Sequence, residues 1–235
     1  MQERGERVVL VTGAAGNLGR AVAQAFLAQG ERVVLVDLRR EALEQVAAGM
    51  PGQTLVAPAD LLTREGAQAA VDAALARFGR LDVLCNIAGG FRMGEAVHET
   101  SDETWDALMG LNARTVLNTS RAAVPALLAQ SRGWIVNVAA GAALRGGAQM
   151  GAYAASKSVV IRLTESLSAE LRERGINVNC VLPSIIDTPE NRAAMPQADP
   201  ARWVAPAELA EVIRFLASPA ARAVHGAAVP VSGLS

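Results

Sequence analysis

RVVLVTGAAGNLG, residues 7–19, sets a short apolar run against a glycine-rich turn, and a helical pattern continues from it to about Gln29. Arg7–Val11 reads as a buried strand. Gly13, Gly16 and Gly19 allow a close backbone turn. The helix that opens with Asn17 and Leu18 then presents unpaired N–H groups and the positive end of its dipole, which suits a pyrophosphate. A second strand, 32–36, runs into Asp37, 24 residues past Gly13. An acid at that place accepts hydrogen bonds from an adenosine ribose. Its charge repels the extra phosphate of NADP(H), so NAD(H) is favoured. Arg39 and Arg40 keep NADP(H) open as an alternative, although at the start of a charged helix they read as solvated side chains.

Outward from this unit, strand and helix patterns alternate to the end of the chain. Helix 40–48 leads to strand 53–57, helix 63–78 to strand 81–86, and a long helix over about 102–130 carries Pro125 as a kink. Strand 133–139, helix 151–172, strand 176–182, helix 206–218 and a last strand near 227–231 follow. The alternation predicts an α/β chain of one domain, residues 1–235, with a doubly wound Rossmann-like parallel sheet and helices on both faces. The one long irregular stretch, 184–205, follows a strand end, where ligands bind in such sheets, and is expected to form the substrate loop.

Composition narrows the partners. The 235 residues carry a formal net charge of −1, which speaks against nucleic acid or an anionic membrane surface. No apolar run of spanning length is present, and the polar start MQERGER leads directly into the first strand with no signal-peptide pattern. Cys85 and Cys180 fall in apolar strands and read as buried thiols, so a cytoplasmic location is expected. Two cysteines and two histidines, His98 and His225, give no metal-binding spacing.

Tyr153, the sole tyrosine, stands four residues before Lys157 in GAYAASK. On a helix the two share a face. A neighbouring ammonium is expected to lower the phenol pKa and ready it for proton transfer.

The ordered set TGAAGNLG (12–19), Asp37, Asp60, NIAG (86–89), Asn112, YAASK (153–157) and PSIIDT (183–188) resembles the short-chain dehydrogenase/reductase family along essentially the whole chain. The resemblance implies an NAD(P)H-dependent oxidoreductase acting on a small molecule. It implies catalytic roles for Tyr153, Lys157 and Asn112, with Lys157 on the nicotinamide ribose and Asn112 holding a water that connects Lys157 to solvent. It places Gly13, Gly16, Asn17, Leu18, Gly19, Asp37, Asp60, Leu61, Asn86, Ala88, Gly89, Pro183 and Thr188 along the cofactor, together with Tyr153 and Lys157. Asp60 also reads as a helix N-cap. In the family the helices matching 102–130 and 151–172 pair between subunits, so a homodimer or homotetramer is expected.

Three positions depart from the family pattern. Asn17 and Ser184 stand where glycine is usual, and Ala140 replaces the serine thirteen residues before the tyrosine. That serine donates to a carbonyl oxygen as charge develops on it. Arg145 and Gln149 are the nearby polar candidates to replace it. Dihydropteridine reductases, a branch that also lacks the serine, resemble this chain at LCNIAGGF (84–91), at 140–157 and at VLPSIIDTPENRAAMPQADPARW (181–203). The expected function is reduction of quinonoid dihydropteridine with NADH; the alternatives are carbonyl reduction without the serine and silent binding of NAD.

Overall fold

A computed structural model describes residues 7–50 and 52–235; residues 1–6 of the polar start lie outside the described residues. Seven strands form one sheet: β1 (Val8–Thr12), β2 (Arg32–Asp37), β3 (Thr54–Pro58), β4 (Val83–Asn86), β5 (Gly133–Val138), β6 (Ile176–Pro183) and β7 (Ala228–Val231). Their order is β3-β2-β1-β4-β5-β6-β7, and all six pairings are parallel. The chain leaves β1 toward one edge and returns to β4 to build the other half. The switch point of the Rossmann-like sheet therefore lies between β1 and β4, where such folds bind ligands at the strand C-termini.

The inner strands β1, β2, β4, β5 and β6 are buried on both faces and so appear in the sequence as continuous apolar runs, while the outer strands β3 and β7 are only partly buried. Alternate residues serve opposite layers. Val9 and Val11 join the core made with Val22 and Phe26 of α1 (Asn17–Leu27), Leu43 of α2 (Arg40–Ala48) and Ile213 of α8 (Pro206–Leu216). Val8 and Leu10 join Val71 of α3 (Arg64–Phe78) and Leu127 of α5 (Thr115–Ala129) on the other side. Between β5 and β6 lies α6 (Gly151–Leu171), whose Val160 and Ile161 pack on Cys180 and Leu182.

The long helical stretch expected over 102–130 is present, running from Asp102 to Ala129 with Pro125 inside it. It comprises α4 (Asp102–Leu108), a π-helical turn over Met109–Arg114, and α5, which continues past Pro125 to Ala129. A π turn weakens regular helix bonding and is common at functional sites. Here it carries Asn112, whose amide makes three hydrogen bonds to neighbouring segments. One expectation is corrected: the 184–205 stretch is not irregular throughout. It contains α7 (Pro189–Ala194) and a 3₁₀ turn at Pro200–Arg202. Thr188 caps α7 by accepting from the Asn191 N–H at 3.2 Å, and Pro189 takes the first helical position, which needs no N–H.

Candidate active site

The glycine turn is held tightly against the end of β4. Gly13 has φ +63°, and a Cβ there would come within 2.9 Å of the Ala88 backbone. A Cβ on Gly19 would stand 2.1 Å from the Gly13 carbonyl, so both positions require glycine. Thr12, buried at the end of β1, accepts from the N–H groups of Ile87 and Ala88 at 2.9 and 3.0 Å. That one hydroxyl clamps the two strand ends that flank the switch point. Gly16 precedes α1 without a side-chain cap, and the first turn of α1 holds no acidic residue. Such a helix start is left to an external anion.

Asp37 ends β2 with its carboxylate accepting from the Ala15 N–H at 3.2 Å and the Leu38 N–H at 2.8 Å. It is thereby fixed beside the glycine turn. Arg40 pairs with Glu44 one helical turn on, with both side chains exposed. Asp60 does not cap α3. Its carboxylate accepts from the Leu62 N–H at 2.9 Å, and the cap is Thr63, which accepts from Gly66. Leu61 is buried, and Asn118 of α5 donates to the carbonyls of Leu61 and Leu62. Asn86 turns its side chain inward. It donates to Asn137 at 2.9 Å and accepts from Thr119 at 2.7 Å, and Asn137 in turn donates to Thr164 on α6. Within the 86–89 segment Asn86 and Ile87 are buried, Ala88 is partly buried and Gly89 is exposed.

Lys157, Asn112 and Gly89 converge at this edge of the sheet. The Lys157 ammonium is buried and donates to the Val138 carbonyl at 3.0 Å. A Cβ on Gly89 would meet Asn112 Oδ1 at 2.9 Å and Lys157 Nζ at 3.0 Å. Asn112 accepts from the Gly90 N–H at 2.8 Å and donates to the Gly90 carbonyl and to the Ser156 hydroxyl. Ser156 donates to the Tyr153 carbonyl at 2.8 Å. The π turn is thus tied to the first turns of α6.

The phenol does not behave as the Tyr-Lys spacing suggested. Burial pushes Tyr153 up to about 12, while burial pulls Lys157 down to about 8. Both charged forms lose water, and the ammonium is directed at Val138. Tyr153 therefore keeps its proton at neutral pH, the state a proton donor needs. Phe91 packs edge-on against the Tyr153 ring with centroids 4.8 Å apart, and Phe91 is itself exposed. Tyr153 also lines a shallow depression with Met93, Gln149 and Met150.

Ala140 follows the end of β5 and is buried. Three serine hydroxyls that follow it in the chain have other partners. Ser156 donates to the Tyr153 carbonyl, Ser158 to the carbonyls of Ala143 and Ala154, and Ser184 to that of Ser232. Gln149 is exposed in the left-handed region at φ +59°, and Arg145 is exposed as well. Pro183 ends β6, and Thr188 five residues later is committed to capping α7.

Sequence reasoning missed Thr12, Asn118, Asn137, Thr164 and Ser156. Each is a short polar side chain inside an apolar pattern, which is the one signal that marks such positions.

A family model described as short chain dehydrogenase matches residues 7–199, and the chain belongs to that family. It is 35% identical over 243 residues to 2-(R)-hydroxypropyl-CoM dehydrogenase of Xanthobacter autotrophicus, with 97% of each chain covered. Among solved structures it is similar to levodione reductase, with a TM-score of 0.91, 29% identity and 98% of both chains covered. It is also similar to a 3-ketoacyl-(acyl-carrier-protein) reductase from Brucella melitensis complexed with NADH, with a TM-score of 0.88, 31% identity and 97% of both chains covered. The protein is thus an oxidoreductase of the short-chain type.

Proposed function

We propose that the protein is an NADH-dependent reductase whose substrate is a quinonoid dihydropteridine, with Tyr153 as proton donor. The observation that carries the substrate reading is Ala140: the family's donor to a developing oxyanion is absent, and the neighbouring serine hydroxyls are engaged elsewhere. A conjugated C=N system spreads charge through its ring as it is reduced, so a single proton donor suffices. The exposed face of Phe91 beside Tyr153 offers a planar substrate an aromatic wall.

The cradle fits a nicotinamide dinucleotide, because the uncapped start of α1, Asp37 and buried Lys157 offer the donor and acceptor groups that its phosphates and riboses require. When bound, NADH supplies the hydride. Lys157 holds the nicotinamide ribose and balances charge near the phenol. Tyr153 delivers its hydroxyl proton to the substrate nitrogen. Asn112 and Ser156 hold the π turn against α6, and Asn112 holds the water that leads to Lys157. The segment 184–205 covers the substrate within a one-domain chain, and subunits pair through α5 and α6 as a homodimer or homotetramer.

A second reading, carbonyl reduction without the serine, is favoured by the names of the relatives, which act on hydroxy or oxo compounds. One assay separates the two: NADH oxidation with quinonoid dihydropterin against a panel of simple ketones. Fast turnover of the pterin and slow turnover of ketones is expected, because a lost oxyanion donor typically costs about 10²–10³ in rate. Ala140→Ser is expected to raise ketone reduction and narrow the gap. A wild type that reduces ketones well and ignores the pterin removes the first reading.

Cofactor choice provides a separate test. Asp37 is expected to make NADH binding tighter than NADPH binding, as read by fluorescence titration. Asp37→Ala is expected to improve NADPH affinity by removing a like charge from the region of the 2′-phosphate. Tighter NADPH binding by the wild type would instead make Arg39 and Arg40 a phosphate clamp.

A further inference from the structure

Asn17, the residue that departs from glycine in the phosphate turn, has a partner 173 positions away: its amide donates to the Glu190 carboxylate at 2.9 Å. Glu190 lies in the first turn of α7. Its carboxyl is held below the ordinary carboxylate range by its own backbone N–H, then by the Thr188 hydroxyl, and then by the Asn17 amide. It is therefore an anion at neutral pH. The start of α1, which no side chain of its own segment caps and whose first turn holds no acid, thus has a carboxylate from a distant segment at its first residue.

We infer that Glu190 is an internal competitor for the phosphates of the dinucleotide, anchored by Asn17, and that it sets cofactor affinity. The inference rests on the reading that this turn binds a dinucleotide. Two anions drawn to one helix start repel each other. With glycine at position 17 there would be no amide to hold Glu190, so the departure in the turn and the acid in α7 act as a pair. Because Glu190 rides on α7, the same contact draws the 184–205 segment onto the glycine turn. Cofactor binding then has to displace it.

The test is NADH titration by fluorescence on the wild type, Glu190→Gln, Glu190→Ala, Asn17→Ala and the Asn17→Ala/Glu190→Gln double variant. Glu190→Gln is expected to bind NADH about 5–10-fold tighter at low ionic strength, with the gain shrinking in high salt. Glu190→Ala should move in the same direction. In the Asn17→Ala background, Glu190→Gln should give a smaller gain, since its anchor is already gone. Glu173→Gln, on the distant turn after α6, is expected to change nothing. Equal or weaker NADH binding by both Glu190 variants overturns the inference and leaves the dinucleotide reading standing. A gain that persists undiminished in high salt also overturns it, because an electrostatic competitor is screened. If neither wild type nor Glu190→Gln binds NADH or NADPH, the dinucleotide reading falls and takes this inference with it.

Discussion

Tyr153→Phe is expected to lower turnover of the true substrate by about 10²–10⁴-fold, the usual contribution of a positioned general acid, while leaving NADH affinity nearly unchanged. The substitution removes one hydroxyl and keeps the ring that packs against Phe91. The pH profile carries the same argument. Tyr153 is half ionised only at about 12, whereas Lys157 is half deprotonated at about 8. Reductive turnover should therefore fall as pH rises, with its midpoint at about 8, as Lys157 becomes neutral. Single-turnover measurements across that range read both effects. Wild-type turnover by Tyr153→Phe would remove the tyrosine from the chemistry.

Lys157→Met is expected to abolish turnover, weaken NADH binding and yet stabilise the fold. The Lys157 ammonium is buried with one carbonyl acceptor, at Val138. Replacing such a buried charge by an apolar chain of similar length is often stabilising, here by on the order of 1 kcal/mol after the loss of the Val138 bond. For a chain of this size that corresponds to a rise in melting temperature of about 2–4 °C. The linkage has a definite sign. Folding lowers Lys157 from 10.5 to about 8, so the unfolded chain holds more protons between those values. Wild-type stability thus gains with pH across that window, and the advantage of Lys157→Met closes as pH rises through it. Thermal melts of both proteins at neutral and alkaline pH test this. A variant that melts below the wild type at neutral pH would show that the buried ammonium contributes stability and does not cost it.

These two residues also show what was legible in the chain. The Tyr-Lys spacing located the pair on one helical face, because periodicity is a property of sequence. The direction of the tyrosine shift was not legible, since it depends on how much water each group loses. The five inner strands were legible because strands of a parallel sheet buried on both faces read as unbroken apolar runs. The π turn was not, because Asn112 in GLNAR looks like any helical asparagine until Gly90 and Ser156 are seen beside it. The start of α7 had a signal in Thr188-Pro189-Glu190, a cap followed by proline, which the surrounding prolines masked. Asp60 and Thr63 both have the chemistry of an N-cap; the Asp60 carboxylate takes the Leu62 N–H in the turn before α3, and Thr63 is the residue that caps the helix.

The base of the 184–205 segment is pinched shut. Ile186 and Val204 form an isolated parallel bridge, with the Asp187 N–H bonded to the Val204 carbonyl and the Val204 N–H to that of Ile185. The excursion between these two points begins and ends at nearly the same place on the scaffold. Lengthening a loop whose ends are already joined adds little closure entropy, about 0.6 kcal/mol per doubling. The excursion is therefore a unit closed at its own base by the Ile186–Val204 bridge.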